Sequence, residues 1–433
     1  MVDIVVLGAT GYTGRLIAQY LATHPQRSSF TFGLAARSQP ALEKVLKGLN
    51  LSKDDVPAFI MDVTNSSDVV AVVQQAKVVI NTIGPYWRLG TSVVRACVHH
   101  GKHYVDLTGE VHWIKDIIFE LDYAAVKSGS IVVPCCGLDS VPSDILAFVA
   151  NKTLKSFGGP STTIDLSTSA WKIGGASISG GTFSTILATL EEVPKRKLLA
   201  LRQNFALSPV EGTHPARPRM LYTLPYSDRP VYGAWYFMAI TNYQVVQRSW
   251  GLYELARRLN HHNATAVAPF SYGPNFKYEE FVILPSALYA MIYSIVFAAI
   301  AALLVCCQPA RWLARRIMPG PGEGPSEKQL RSGSVEITNI TTSSPNSQGE
   351  KIVVRSIFQG RGDPGYFLSS IMISECALAL VLDGAILPQI STGGGILTPM
   401  TAFGDALVER LRRSGHIDIE SELLVGTEAR KTR

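Results

Sequence analysis

The first 150 residues alternate short apolar runs with stretches of helically spaced apolar side chains. Val2 to Leu7, apolar except for Asp3, has the length and composition of a buried strand. In Arg15-Leu16-Ile17-Ala18-Gln19-Tyr20-Leu21 the apolar positions then fall on one helical face. The same alternation predicts strands at Phe30 to Ala36, Ala58 to Met61, Val78 to Ile80, His103 to Leu107 and Ile131 to Pro134, with helices at Val69 to Gln75 and Thr91 to Gly101. Repeated strand–helix units imply a parallel, doubly wound sheet, so residues 1–150 are expected to form one α/β domain.

Beyond residue 160 the pattern changes. Thr162 to Thr168 alternates like a half-exposed strand, glycines at 174–175 and 180–181 precede a predicted helix from Phe183 to Glu192, and Val335 to Thr341 and Lys351 to Gln359 read as paired strands around a polar insert. These features predict an α+β second domain in two parts, 151–280 and 334–433. Between them, residues 281–310 contain no Asp, Glu, Lys, Arg or His. Ser286 to Cys307 alone supplies 22 residues, and an apolar helix needs about 20 to cross a bilayer. Segment 281–318 is therefore predicted to be a membrane-associated helix, with Lys277, Glu279 and Glu280 before it, Arg311, Arg315 and Arg316 after it, and Trp312 as an interfacial anchor. Residues 319–333, opening on Pro319-Gly320-Pro321-Gly322, read as a linker. A straight crossing would strand residues 334–433 on the far side of the bilayer from residues 1–150. Monotopic attachment is expected instead, with Cys306 and Cys307 as candidate acylation sites; a buried core helix is the alternative.

Composition agrees. The chain of 433 residues is 47% apolar and only 17% charged, with a mild net charge of +6 spread along its length, so a nucleic-acid partner is not expected. Its six cysteines lack zinc-site spacing and suit a reducing compartment. Because Met1-Val2-Asp3 leads straight into a strand, no signal peptide is expected, and the sequons at Asn65, Asn151, Asn263 and Asn339 are read as unglycosylated. Arg361-Gly362-Asp363 is read as a turn.

The chemistry begins at Gly8-Ala9-Thr10-Gly11-Tyr12-Thr13-Gly14. Glycines at this spacing, between a strand and a helix, allow a sharp turn and let backbone N–H groups approach a pyrophosphate at the helix N-terminus. Gly8, Thr10, Gly11, Tyr12, Thr13 and Gly14 are thus candidate dinucleotide contacts, and the domain reads as a Rossmann domain. Where an acidic residue would bind the ribose hydroxyl of NAD(H), this chain has Arg37-Ser38, and a guanidinium suits a 2′-phosphate; NADP(H) is expected in preference to NAD(H). Asp62 is placed to face the adenine amino group, and Asn81, Gly84 and Pro85 follow a buried strand at the sheet edge where such folds bind ligands.

Asp106 and Glu110 follow the fifth strand on that edge, and Asp139, Ser140 and Asp144 follow the next. Asp106, Glu110 and Asp139 are the candidate acid–base residues; capping of a helix predicted at Ile145 to Ala150 is the competing role for Asp139 and Ser140. Tyr123-x-x-x-Lys127 matches a dehydrogenase pair but is rejected as a chance match, and His99, His100, His103 and His112 lack metal-ligand spacing.

These motifs, with Tyr104-Val105-Asp106-Leu107-Thr108-Gly109-Glu110, Gly137-Leu138-Asp139-Ser140-Val141-Pro142-Ser143-Asp144, Gly362-Asp363-Pro364-Gly365-Tyr366 and Gly394-Gly395-Ile396-Leu397-Thr398-Pro399, resemble the saccharopine dehydrogenase-like oxidoreductases, a family that includes the trans-acting enoyl reductases. The resemblance implies a Rossmann domain followed by an α+β domain, with the last segment and its helices packing back near the first. It also implies a membrane or lipid-droplet setting. The expectation is an NADP(H)-dependent oxidoreductase acting on a lipid-like substrate, plausibly an enoyl double bond, with its catalytic domains on the cytosolic face of the endoplasmic reticulum or a lipid droplet. A homodimer is left open. Two alternatives stand: a saccharopine-type amino-acid dehydrogenase, drawing on Arg202, Arg217, Arg219 and Arg229, and a non-catalytic dinucleotide-binding lipid-droplet protein.

Overall fold

The computed structural model describes residues 1–52, 54–175, 180–200, 203–212, 218–259, 269–317 and 324–424. Strands β1 (Val2–Leu7), β2 (Phe32–Ala36), β3 (Ala58–Ile60), β4 (Ala76–Asn81), β5 (His103–Asp106) and β6 (Ile131–Val133) form a parallel sheet in the order 3-2-1-4-5-6. Helices α1 (Tyr12–Ala22), α2 (Gln39–Gly48), α3 (Ser66–Val73), α4 (Tyr86–His99) and α5 (Val111–Ser128) connect them. Both faces of the sheet are covered: Ile4, Val6, Leu34 and Val78 bury into one apolar layer, Val5, Leu7, Val79 and Tyr104 into the other. That is why these strands read as continuous apolar runs. The parallel Rossmann-like sheet expected from the sequence is present.

The second sheet is mixed. It contains β7 (Ile164–Gly174), β8 (Tyr222–Thr223), β9 (Tyr232–Trp235), β10 (Lys277–Leu284), β11 (Ser334–Ser343), β12 (Val353–Arg361) and β14 (Ile417–Leu423), in the order 14-12-11-7-10-9-8. Only β7 and β10 run parallel; the other neighbours are antiparallel. Strand β13 (Gly395–Ile396) instead returns to the first sheet, pairing with β6. The two sheets are joined by α6 (Val141–Gly158), which starts at the edge of the first and packs against β7, β11, β12 and β14 of the second.

The remaining helices are α7 (Gly180–Glu192), α8 (Lys195–Ala200), α9 (Ala239–Leu259), α10 (Ala287–Cys306), α11 (Gln308–Ile317), α12 (Glu327–Ser332), α13 (Ser369–Leu382), α14 (Pro399–Phe403) and α15 (Asp405–Arg413). Helix α13 buries against α1 and strands β4 and β5, on the face of the first sheet lined by Ile4 and Val6.

Several boundaries differ from the sequence reading, each for a local reason. The strand expected at 162–168 runs to Gly174, because β11 pairs with it along its length. The helix expected at 91 starts at Tyr86, where a carboxylate from outside the helix accepts its first N–H groups. The helix expected at Ile145 to Ala150 extends from Val141 to Gly158 and is buried all round through Ala150, which hides any amphipathic period. The charge-free run also divides. Phe281 to Leu284 completes β10 at the centre of a sheet, and Ser286 Oγ then caps α10 by accepting from Tyr289 N at 3.4 Å.

Among the described residues, two helices are long and apolar enough to cross a membrane, by length and composition: Ala287–Cys306 is 6% buried, and Pro364–Leu382 is 72% buried. Helix α10 is thus exposed, unlike the buried core helix weighed as an alternative for residues 281–310. Within the predicted linker, Pro319 to Gly322 lie outside the described residues. Ser326 and Gln329 then form a capping box that starts α12.

Candidate active site

The turn after β1 is built as its glycines require. Gly8 has φ +77, in the left-handed region, and a Cβ on Gly14 would stand 2.2 Å from the Gly8 carbonyl oxygen. Gly11 occupies the N-cap of α1 and no side chain caps the helix, so its first turn points bare N–H groups at the sheet edge. Thr13 lies in that first turn, and the Thr10 carbonyl is held by Arg15 Nη1 at 3.1 Å. Tyr12 turns away, its hydroxyl donating to the Pro325 carbonyl at 2.6 Å.

Arg37 stands exposed at the end of β2, and the next residue, Ser38, caps α2. Asp62 follows β3 and accepts from Thr64 N at 2.9 Å and Thr64 Oγ1 at 2.8 Å; these bonds, and then Arg37 nearby, hold its carboxyl below the usual range. The two side chains singled out for the adenosine end thus follow adjacent strands, with Arg37 near enough for its charge to act on Asp62. The cradle fits a 2′-phosphorylated dinucleotide: glycines where a Cβ would collide, an uncapped helix, and an exposed guanidinium.

The loop after β4 is held by its own side chains. Asn81 Nδ2 donates to Tyr104 Oη at 3.1 Å, Asn81 Oδ1 accepts from Ile83 N at 3.0 Å, and Thr82 Oγ1 donates to the Leu7 carbonyl at 2.7 Å. Pro85 leads into α4. A Cβ on Gly84 would lie 3.8 Å from Thr185 Oγ1, so α7 sits directly over this loop.

The three candidate acids divide sharply. Asp106 is fully buried and accepts from Tyr104 Oη (2.9 Å), Thr108 N (2.9 Å) and Cys135 N (3.1 Å). Burial pushes its carboxyl up to about 7 against those bonds. Glu110 accepts from Tyr86 N and Trp87 N, each at 2.8 Å, and so caps α4 from a distance. Asp139 differs: the residue is half-buried, yet its buried Oδ1 has no hydrogen-bond partner. Burial first, and then the charge of Glu280, push it up to about 7. Asp139 Oδ2 would lie 3.1 Å from a Cβ on Gly109, and Gly109 O accepts from Thr241 Oγ1 at 3.2 Å, so the carboxyl sits where the β5 loop, the β6 loop and the start of α9 meet.

The expected capping role for Asp139 and Ser140 is not found. Ser140 has φ +94 and no capping bond; its hydroxyl donates to Asn242 Oδ1 at 3.1 Å instead. Asp144 is likewise buried, and binds Ser249 Oγ at 2.6 Å and Met400 N at 2.9 Å, tying α6 to α9 and α14.

Sequence reasoning missed Glu280. Its Oε2 accepts from Ser143 Oγ (2.8 Å), Tyr278 Oη (2.8 Å) and Trp171 Nε1 (3.3 Å), and its Oε1 accepts from Asn242 Nδ2 (2.8 Å). Read along the chain, it is only a polar flank of the apolar run. No short-range pattern marks a residue whose partners lie on α6, β7 and α9. Tyr236 was also missed. Its ring is 5.0 Å from that of Trp171, and burial, then Asp139 and Glu280, and then Tyr293 of α10 push its phenol well above the usual range. The next ring along is Trp235, 5.3 Å from Phe297 of α10. Trp235 packs in a separate apolar cluster with Tyr222 and Phe281, whereas Tyr236 and Trp171 belong to the cluster that includes Leu138 and Ala239.

Other readings resolve simply. Tyr123 is 75% exposed on α5 with Lys127 above its ring, far from a catalytic role. Among the described residues no group of His, Cys, Asp or Glu could hold a metal ion. Of the arginines weighed for a dicarboxylate, Arg202 and Arg217 lie outside the described residues, Arg219 pairs with Glu279 at 2.9 Å, and Arg229 is exposed.

Comparison with known proteins places this geometry among relatives. Residues 4–133 match the saccharopine dehydrogenase NADP binding domain. The chain is 32% identical, over 95% of its length and 96% of the relative's, to a Mycobacterium tuberculosis protein provisionally named a trans-acting enoyl reductase. It is 29% identical, over the same shares, to the trans-acting enoyl reductase of that organism, and 28% identical to the one from Mycobacterium leprae. In fold it is similar to saccharopine dehydrogenase (L-Glu forming) from Saccharomyces cerevisiae, with a TM-score of 0.53, 15% identity, and coverage of 98% of this chain and 100% of that one.

Proposed function

This chain belongs to the trans-acting enoyl reductase family, as an NADP-dependent oxidoreductase, and from that premise we propose that it reduces a carbon–carbon double bond of a lipid-like substrate at a membrane or lipid-droplet surface. Its catalytic domains face the cytosol in this reading. The observation that carries it is the half-buried Asp139, whose buried Oδ1 has no hydrogen-bond partner, at the exit of β6 in a chain that also presents the exposed apolar helix α10.

Gly8, Thr10, Gly11, Thr13 and Gly14 would hold the pyrophosphate, and Arg37 the 2′-phosphate. Asp62 would face the adenine, and the loop Asn81 to Pro85 would border the nicotinamide. When bound, NADPH supplies the hydride. Asp139 holds a proton near neutral pH because burial and Glu280 disfavour its anion. That proton passes from the Asp139 carboxyl to the substrate carbon next to the one reduced, which balances the two-electron reduction. Asp106 and Glu110, with their oxygens engaged, act as positioning residues for the β5 and β6 loops and for α4. The buried rings of Trp171 and Tyr236, packed 5.0 Å apart in this region, suit an acyl chain better than a dicarboxylate, which disfavours an amino-acid substrate.

Titration of the full chain with NADPH and NADH, followed by tryptophan fluorescence, tests the cofactor half of this reading. Saturable, NADPH-selective binding that is lost in Gly11→Asp supports it. Absence of binding to either cofactor would favour the non-catalytic alternative.

A further inference from the structure

We propose that α11 docks on an anionic lipid surface, and that docking competes with Glu191 for Arg311 and Arg315, so loosening α7 over the cofactor loop. This rests on the membrane reading above.

Helix α10 is held to one body at both ends. It grows out of β10, and Ser294 Oγ donates to the Met220 carbonyl at 2.8 Å; beyond it, Arg311 Nη1 closes its C-terminus by donating to the Leu304 carbonyl at 2.7 Å and the Val305 carbonyl at 3.2 Å. A helix fastened this way lies along the protein, with its exposed apolar side toward the membrane plane. Helix α11 supplies what a headgroup layer wants. Trp312, Leu313 and Ile317 are exposed, and the Arg316 guanidinium stacks 4.1 Å over the Trp312 ring. Of its three arginines, Arg311 (3.4 Å) and Arg315 share a single carboxylate, Glu191, while among the described residues Arg316 is engaged only by the Trp312 ring. The helix therefore keeps an excess of positive charge next to an apolar helix, a pattern complementary to anionic phospholipid.

Glu191 is the last residue but one of α7. The same end of α7 is pinned to the first domain by Arg88–Glu192, while the following helix is pinned by Lys197–Asp116. Thr185, midway along α7, is the residue over Gly84. The chain beyond α11 also meets the cofactor turn: a Cβ on Gly324 would lie 2.7 Å from the Tyr12 ring, whose hydroxyl donates to the Pro325 carbonyl. Because α7, paired with α11 through Glu191, lies over the loop at Gly84, and the chain beyond α11 touches Tyr12 of the glycine turn, lipid docking and NADPH binding are coupled, and coupling of affinities is reciprocal.

The test uses the full chain with phosphatidylcholine vesicles, with the same vesicles containing phosphatidylserine, and with inorganic phosphate in solution. Flotation reads vesicle association, and tryptophan fluorescence reads NADPH affinity. Phosphatidylserine is expected to raise association over phosphatidylcholine alone and to shift NADPH affinity by about fivefold or more. Glu191→Gln is expected to show the shifted NADPH affinity without lipid and no further response to phosphatidylserine. Arg315→Gln with Arg316→Gln should retain association with phosphatidylcholine through α10 and lose the increment. Equal association with both vesicle types would overturn the inference while leaving the membrane reading intact; no association with either would overturn both. A phosphatidylserine effect on association without any change in NADPH affinity, a wild-type response in Glu191→Gln, or full reproduction of the effect by inorganic phosphate would also overturn it.

Discussion

The charge of Glu280, in the middle of the second sheet, raises the protonation range of Asp139, on the edge of the first. Glu280 holds its own place in the interior through four hydrogen-bond donors, whereas Asp139 Oδ1 has none. A buried carboxyl with its acceptors engaged thus acts on a half-buried one whose inner oxygen is unpartnered. One is fixed by its bonds; the other is left holding a proton.

Activity should follow that proton. Asp139 must be protonated to act as an acid, so turnover is expected to be level below pH 7 and to fall as pH rises through about 7. A rate profile that rises across this window would contradict the assignment. Glu280→Gln removes the neighbouring charge, and the fall in activity should then move to lower pH.

Stability carries the same signature. The Asp139 carboxyl is raised in the folded chain from an ordinary 3.8 to about 7, so the folded state retains a proton that the unfolded state releases. Its contribution is fully present below pH 4 and is lost as pH rises through about 7, at about 1.4 kcal/mol per unit of difference. Asp139→Asn should therefore gain thermal stability relative to wild type at pH 8 and not at pH 4. Parallel melting curves at the two pH values check this. An unchanged difference between the two proteins would argue against a protonated Asp139.

Glu110 is expected to matter for folding more than for chemistry. Both its oxygens accept from the first turn of α4, so Glu110→Ala leaves two N–H groups there without a partner. A loss of about 2 kcal/mol is expected by chemical denaturation, within the range for a lost cap or a stranded buried donor. Retention of wild-type stability would show that the helix end finds other acceptors.

Arg37 is expected to set the cofactor preference. Its guanidinium is exposed at the end of β2 and no carboxylate takes the place an NAD-specific acid would occupy. Arg37→Ala should weaken NADPH binding by about tenfold or more, the value of a charge-assisted hydrogen bond, while leaving NADH binding nearly unchanged. Equal effects on the two cofactors would place the 2′-phosphate elsewhere.

How much of this was legible along the chain follows from the range of the interactions. The glycine turn, the parallel strands and the paired strands β11 and β12 were readable because each depends on neighbours close in sequence. Where an element took its partners from afar, the reading slipped. Tyr86 begins a helix because Glu110 caps it, and Phe281 to Leu284 joined an apparent membrane run because a central strand is as apolar as a membrane helix. Among the site residues, Asp139 was placed from its position at a strand exit. Its partner Glu280 was invisible, since its four donors come from four segments, including its own strand β10.

The central claim is tested most directly by following NADPH oxidation against α,β-unsaturated long-chain acyl thioesters presented in vesicles, with the wild type and Asp139→Asn compared and the product weighed. The account predicts a saturated product carrying one hydrogen from NADPH and one from solvent, and a rate lower by about a hundredfold or more in Asp139→Asn with NADPH affinity retained. Reduction by Asp139→Asn at the wild-type rate, or NADPH binding by the wild type without reduction of any such acyl chain, would contradict it.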